Sequence, residues 1–429
     1  MKFYINTLGC KVNTYESNVI RDIFLNAGYK EETLEKADII VVNTCSVTNK
    51  ADSKSLKTVR QARRKNKDAI IIVSGCSSQN KQKEYLDLED VDIVLGNRYK
   101  TDVIKYIEEY KQKKEKINAL TDMKKVPFEI MMLNNFNQTR AFVKIQDGCN
   151  NFCSYCIIPN VRGNVRRKNK EDVIKELKKL VEEDKKEIVL TGIHTGNYGK
   201  DLKTSLADLL EELVKVENLE RIRISSIEIT ELDEHFMKVL KENEKIVDHM
   251  HIPLQSGANK TLKDMNRKYD KDYFIKKIEE IRKIRPNINI TTDVIVGFPN
   301  ETEEDFKETI ETIKKVKFTK IHVFPYSKRE GTKAALMDNQ IKEEIKQQRV
   351  HKLLEISEQL EKEYMEKYIG KIVEILPEKV KENILTGHTE NYLQVKTKGK
   401  KEDINKLIKV KIKSLNYPYL EGEKLTSEQ

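Results

Sequence analysis

No run of about eighteen apolar residues occurs in this 429-residue chain, so no membrane-spanning helix is expected. The opening MKFYINTLGC carries no long apolar stretch after its lysine, unlike a secretory signal peptide. Cysteine is scarce, at six residues, and a chain without export signals is expected in the reducing cytoplasm. There, disulfides are rare and clustered thiols are metal-binding or catalytic. Histidine numbers only seven. Charge is not lacking: the chain is 35% charged and 38% hydrophobic, with a formal net charge of +10. That balance allows packed cores beneath a lysine-rich surface and favours a polyanionic partner, although lysine-rich codon usage alone gives the same figure. Two to four domains are expected at this length.

Three of the six cysteines are set as Cys149-x3-Cys153-x2-Cys156 within FVKIQDGCNNFCSYCIIP. A structural zinc site takes four protein ligands, so three thiolates leave a position unfilled. A cubane iron–sulfur cluster held by three cysteines likewise leaves one iron open, and such spacings let one loop wrap several irons. Two other readings stand beside it: a zinc knuckle completed by a distant histidine, the nearest downstream being His194, or three unrelated core cysteines.

The first hundred residues alternate apolar runs (2–6, 38–42, 69–73, 91–95) with helical stretches (14–27, 51–65, 79–86), the pattern of a parallel βαβ sheet. Cys10, Cys45 and Cys76 each follow one of these strands. Carboxyl-end loops of parallel strands gather at one edge, so the three are expected to converge. Gly9 and Gly75 allow tight turns beside two of them. The other reading is that each is a small buried hydrophobe. Periodicity lapses over 112–138 and then resumes with strands near 141–146, 187–191, 220–225, 249–253, 289–297 and 321–326. Helices at 170–183, 205–216, 271–285 and 303–316 separate them. About six βα units suggest a partial barrel, with the CxxxCxxC loop at the carboxyl end of its first strand. From about residue 370 short β-like runs resemble a small five-stranded barrel. Its Tyr392 and His388 suit single-stranded nucleic-acid binding, a generic capping domain being the alternative.

CNNFCSYC followed by IIPNVRG resembles the cluster loop of radical S-adenosylmethionine (SAM) enzymes. TLGCKVNTYES, NTCSVTNKAD, SGCSSQN, GIHTGNYG, HIPLQSG, DVIVGFPNET and FPYSKREGT extend the resemblance to the methylthiotransferases over nearly the whole chain. TLGCKVN, IQDGCNNFC and GIHTGNYG are most similar to the branch acting on N6-threonylcarbamoyladenosine of tRNA. The family often has an aromatic and a small residue after IIP, where this chain has Asn160-Val161. The resemblance implies an α/β chain: an N-terminal Rossmann-like parallel domain (1–115), a linker (116–138), a partial (βα)6 radical SAM core (139–368) and a small OB-like β-barrel, the TRAM domain (369–429). It implies two 4Fe-4S clusters and SAM as cofactors. Cys149, Cys153 and Cys156 would bind the catalytic cluster, and Cys10, Cys45 and Cys76 an auxiliary one. Tyr155, Thr191, Gly192, Ser225, Ser226, Gln255, Val296, Gly297 and Tyr326 would line the SAM site.

The implied reaction is methylthiolation of an adenine C2 next to the anticodon. The implied partners are a tRNA anticodon stem-loop, an electron donor such as flavodoxin or ferredoxin, and a sulfur donor. A cytoplasmic monomer is sufficient. The basic tail and the Lys/Arg run at 162–170 would bind anticodon-loop phosphates. Alternative substrates are N6-isopentenyladenosine or a ribosomal-protein aspartate; a zinc-containing RNA-binding protein is the more distant reading.

Overall fold

The computed structural model describes residues 1–134, 136–200, 202 and 204–425. Asn135 of the expected linker and residues 426–429 of the expected C-terminal domain lie outside the described residues. The N-terminal sheet is parallel, with Lys2–Thr7, Ile39–Thr44, Ile70–Gly75 and Ile93–Gly96 adjacent in that order. Runs such as IIVV and IIIV are apolar throughout because both faces of a parallel sheet are covered. Ile20, Phe24, Val103 and Ile107 pack one face from helices Lys11–Asn26 and Val103–Lys113. Leu56, Val59 and Ala62 of helix Asn49–Lys65 pack the other.

The central domain holds six parallel strands in two sheets of three. One orders Arg221–Ile224, Glu187–Thr191 and Arg140–Lys144; the other orders His249–His251, Asn289–Val296 and Lys320–Pro325. An isolated parallel bridge between Ile222 and Ile246, just before His249–His251, and the Ile227 amide donating to His251 O (3.1 Å) bring the two sheets together. Alternation along Arg221-Ile222-Arg223-Ile224 sends the isoleucines into the apolar core and Arg223 toward an interior cavity, as the two-residue strand period requires. Helix Lys11–Asn26 of the N-terminal domain packs on the outer strand Arg140–Lys144. Helix Glu343–Glu366 packs on the opposite outer strand, Lys320–Pro325.

The C-terminal residues form a closed five-stranded barrel, Ile372–Lys381, Ile384–Thr389, Gln394–Lys398, Tyr419–Lys424 and Ile408–Asn416 in spatial order. It is seated on the central domain by Arg140–Glu378 (3.1 Å) and Arg221–Glu374 (3.0 Å). Arg223 and Asn289 donate to the Glu390 and Asn391 carbonyls at 2.9 and 2.6 Å. The expected linker is built into both neighbours: Ile117–Asn118 adds an edge strand to the first sheet, and Met131, Leu133 and Phe136 lie in the central core.

Candidate functional site

The CxxxCxxC loop follows the strand Arg140–Lys144. It can turn there because Gly148 adopts φ +74°, where a Cβ would lie 1.9 Å from the Asn164 carbonyl oxygen. The Cys149 amide donates to Gly163 O (3.0 Å) and the Cys156 amide to Cys153 O (3.0 Å). Two cations meet the sulfurs. Arg267 Nη1 is 3.2 Å from Cys153 Sγ, and His194 Nδ1 is 3.5 Å from Cys149 Sγ. Arg267 is tied back to Glu228 at 2.6 Å, and His194 Nε2 to Glu231 at 2.6 Å and Glu228 at 3.3 Å. Burial opposes charge on His194, but its hydrogen bonds to Cys149, Glu228 and Glu231 prevail and raise its pKa to about 12. Both ring nitrogens of His194 are engaged, Nδ1 with Cys149 and Asn197 and Nε2 with Glu228 and Glu231. Burial, with Cys153 and Cys149 adding to it, pushes the Cys156 thiol up to about 12. Three cysteine sulfurs on one short loop, with Arg267 and His194 beside two of them, suit an iron cluster held by thiolates.

Cys10, Cys45 and Cys76 stand just beyond the carboxyl ends of three adjacent strands. Gly9, at φ +103°, brings its backbone so close that a Cβ would lie 2.9 Å from Cys45 Sγ. Burial, with Cys76 and Cys10 adding to it, raises Cys45 to about 11. Asn97 Nδ2 and Arg162 Nε approach Cys76 Sγ at 3.5 and 3.2 Å. Arg162 is fully buried between the domains, donating to Glu16 (2.9 Å), Asp147 (3.2 Å) and Asn13 (2.8 Å). Lys144 bonds Glu16 and Asp147 at 2.7 Å each, and Lys100 lies 3.1 Å from Glu16. Arg162, Lys144 and Lys100 thus share Glu16 and Asp147 beside the Cys76 sulfur. The donor set fits a second cluster.

This corrects the expectation of RNA-phosphate contact for two members of the 162–170 run, while Arg166, Arg167 and Lys170 are half-buried. Arg162 is enclosed as described, and Lys168 is equally buried, bonded to Glu176 (2.6 Å) and Met131 O (2.5 Å). Neither can reach a phosphate. Tyr392 is drawn from its loop into an interior stack between His249 and His388, with ring centroids 4.9 and 4.6 Å away.

One cavity of about 1030 Å³ is lined by residues from the N-terminal, central and C-terminal domains. Cys10 lines it beside Thr191, Gly192, Ser225 and Ser226, and the C-terminal barrel adds Tyr392. The remaining expected cofactor contacts gather elsewhere. Tyr155 and Tyr326 pack edge-on against Phe298, at 6.4 and 5.4 Å. The amide of Tyr326 donates to Val296 O at 2.8 Å, and Gly297, at φ +68°, donates its amide to Glu301. Gln255 pairs with the strand Asn289–Val296 through its backbone, to Asp293 O and Ile295 N at 2.9 Å each. Arg267 and Glu228 were not singled out from sequence, and His194, which lies in GIHTGNYG, entered there only as the nearest downstream histidine for a zinc knuckle.

Residues 143–313 match the family model described as the radical SAM superfamily, and residues 2–96 match uncharacterized protein family UPF0004. The chain is 46% identical over 428 residues to threonylcarbamoyladenosine tRNA methylthiotransferase MtaB of Bacillus subtilis, covering 97% of this chain and 95% of the relative. Identity to the protein of the same name from Aquifex aeolicus is 39%, covering 96% and 100%. It is 37% to a tRNA-2-methylthio-N(6)-dimethylallyladenosine synthase of Clostridium botulinum, covering 99% and 97%. Among solved structures, the radical SAM methyltransferase TsrM of Kitasatospora setae superposes with a TM-score of 0.56 at 12% identity, covering 75% and 72%. That likeness concerns the fold.

Proposed function

The chain belongs to the tRNA methylthiotransferase family of radical SAM enzymes, and from that premise we propose that it methylthiolates C2 of N6-threonylcarbamoyladenosine beside the tRNA anticodon. Identity of 46% to a threonylcarbamoyladenosine enzyme against 37% to a dimethylallyladenosine one favours this substrate. The observation that carries the chemistry is the single cavity bordered both by Cys10 and by the strand ends Thr191-Gly192 and Ser225-Ser226.

In this reading Cys149, Cys153 and Cys156 hold a 4Fe-4S cluster, and Cys10, Cys45 and Cys76 hold a second. When bound, the clusters and SAM supply the one-electron chemistry and the sulfur that an unactivated adenine C–H bond demands. The chain does the rest. Arg267 and His194 keep positive charge against the Cys153 and Cys149 sulfurs, and Arg162 does so at Cys76. Thr191, Gly192, Ser225 and Ser226 offer polar contacts for SAM. Tyr155, Gln255, Val296, Gly297 and Tyr326 are outside the lining of that cavity, and the family resemblance alone assigns them to the same cofactor.

A flavodoxin or ferredoxin as electron donor, a separate sulfur donor, a monomeric state and a cytoplasmic location belong to the same reading. Among the described residues no helix is long and apolar enough to cross a membrane. Mass spectrometry of tRNA nucleosides tests the assignment. Deleting the gene should abolish 2-methylthio-N6-threonylcarbamoyladenosine, and re-expression should restore it. An unchanged level, or loss of the isopentenyl counterpart instead, rejects it.

A further inference from the structure

One wall of the central cavity is assembled from all three domains. Lys11 comes from the first, Arg223, His249 and Asn289 from the second, and Tyr392 from the third. Arg223 and Arg140 place their guanidinium carbons 4.7 and 5.0 Å from the Tyr392 ring centre. Arg223 spends Nε and Nη2 on Glu187, at 2.6 and 3.2 Å. Its Nη1 has no partner among the described residues, although the side chain is only 2% exposed. His249 Nδ1 and Asn289 Oδ1 are unpartnered in the same sense. Lys11 forms no ion pair among the described residues.

Buried donors are nearly always satisfied, and an exception calls for a missing partner. Arg223 keeps one N–H unused beyond its Glu187 pair, and with Lys11 on the same cavity wall it favours an anion. An unused guanidinium N–H next to an ammonium suits a carboxylate oxygen pair. The cavity's size suits a substituted nucleoside. We propose that Arg223 Nη1 and Lys11 form the subsite that receives the carboxylate on the N6 substituent of the target adenine, and so select an acidic substituent over an apolar one. His249 Nδ1 and Asn289 Oδ1 face the polar atoms between that carboxylate and the base. This assignment rests on the threonylcarbamoyladenosine reading above.

The test is equilibrium binding of reconstituted holoenzyme to two synthetic anticodon stem-loops. One carries the N6-threonylcarbamoyl group as its acid and the other as its carboxamide. The wild type should bind the acid about tenfold more tightly or better, as a charge-assisted hydrogen bond predicts. Arg223→Gln and Lys11→Met should each bring the ratio near one, and Lys11→Arg should keep it. A wild-type ratio near one overturns the proposal, as do variants that weaken both RNAs equally. Should Arg223→Gln fail to fold, the two Lys11 variants decide alone. Mass spectrometry on the same mixtures separates the two claims. Selective binding of the acid with no methylthio transfer to either RNA sinks the proposed function and spares the subsite. Transfer to both without selectivity does the reverse.

Discussion

Arg162 cross-links the two cysteine sets: it follows Cys156 in the chain, yet its guanidinium lies on Cys76. Removing one member of a buried ionic network strands the others at a cost of about 3–5 kcal/mol. Arg162→Met should therefore lower the thermal midpoint by several degrees and weaken iron retention by the first cysteine set, read by calorimetry and iron assay. His249 gives the pH prediction. Burial first, then Arg223, His251, Lys11 and Arg140, depress its pKa well below 6.5. Below that pH the unfolded chain takes up a proton that the folded one refuses, so stability drops as pH falls, by up to about 1.4 kcal/mol per unit. Denaturant unfolding at pH 7.5 and 5.5 should show this loss in the wild type and a smaller one in His249→Gln. The six cysteines were legible in the sequence because their spacing and strand-end positions are local facts. Arg267 was not, and the place of His194 at Cys149 was not, since each reaches its sulfur only when separate strand-end loops close together. The charge of Arg162 and Lys168 was legible, but their burial was not.

Strands announced themselves through composition. IIVV and IIIV are too apolar for anything but a covered parallel sheet, and Ile408, Val410 and Ile412 alternate inward against exposed Lys409, Lys411 and Lys413. The helix Val103–Lys113 escaped notice because it buries only Val103 and Ile107, too thin a stripe to stand out. Helix Glu234–Glu242, with nine residues, is shorter than the window in which a helical period can be recognised. Turns are where one residue decides an element. At Gly148 both the positive φ and the Asn164 carbonyl oppose a side chain, and a backbone oxygen cannot rotate away. Gly148→Ala should disorganise the CxxxCxxC loop and leave the other cysteine set intact. Anaerobic reconstitution should then give about four irons rather than about eight, as two four-iron clusters require.

Across the whole molecule, the C-terminal barrel serves as a wall of the cavity as well as a candidate RNA-binding module. Truncation after Ile369 would remove Glu374, Glu378 and the Glu390 and Asn391 carbonyls, stripping partners from Arg140, Arg221, Arg223 and Asn289. The shortened chain should melt at a lower temperature and lose stem-loop affinity by more than tenfold, measured by calorimetry and anisotropy. A tail that binds RNA without completing the cavity would change affinity alone. The shared cavity wall also bears on inheritance. Because Lys11, Arg223 and Tyr392 reside in three different domains, exchanging any one domain with a relative of different substrate would pair mismatched walls. Lineages of such proteins should therefore change substrate through concerted substitutions spread along the gene, and hybrids joined at the domain borders should be sterile for both parental reactions.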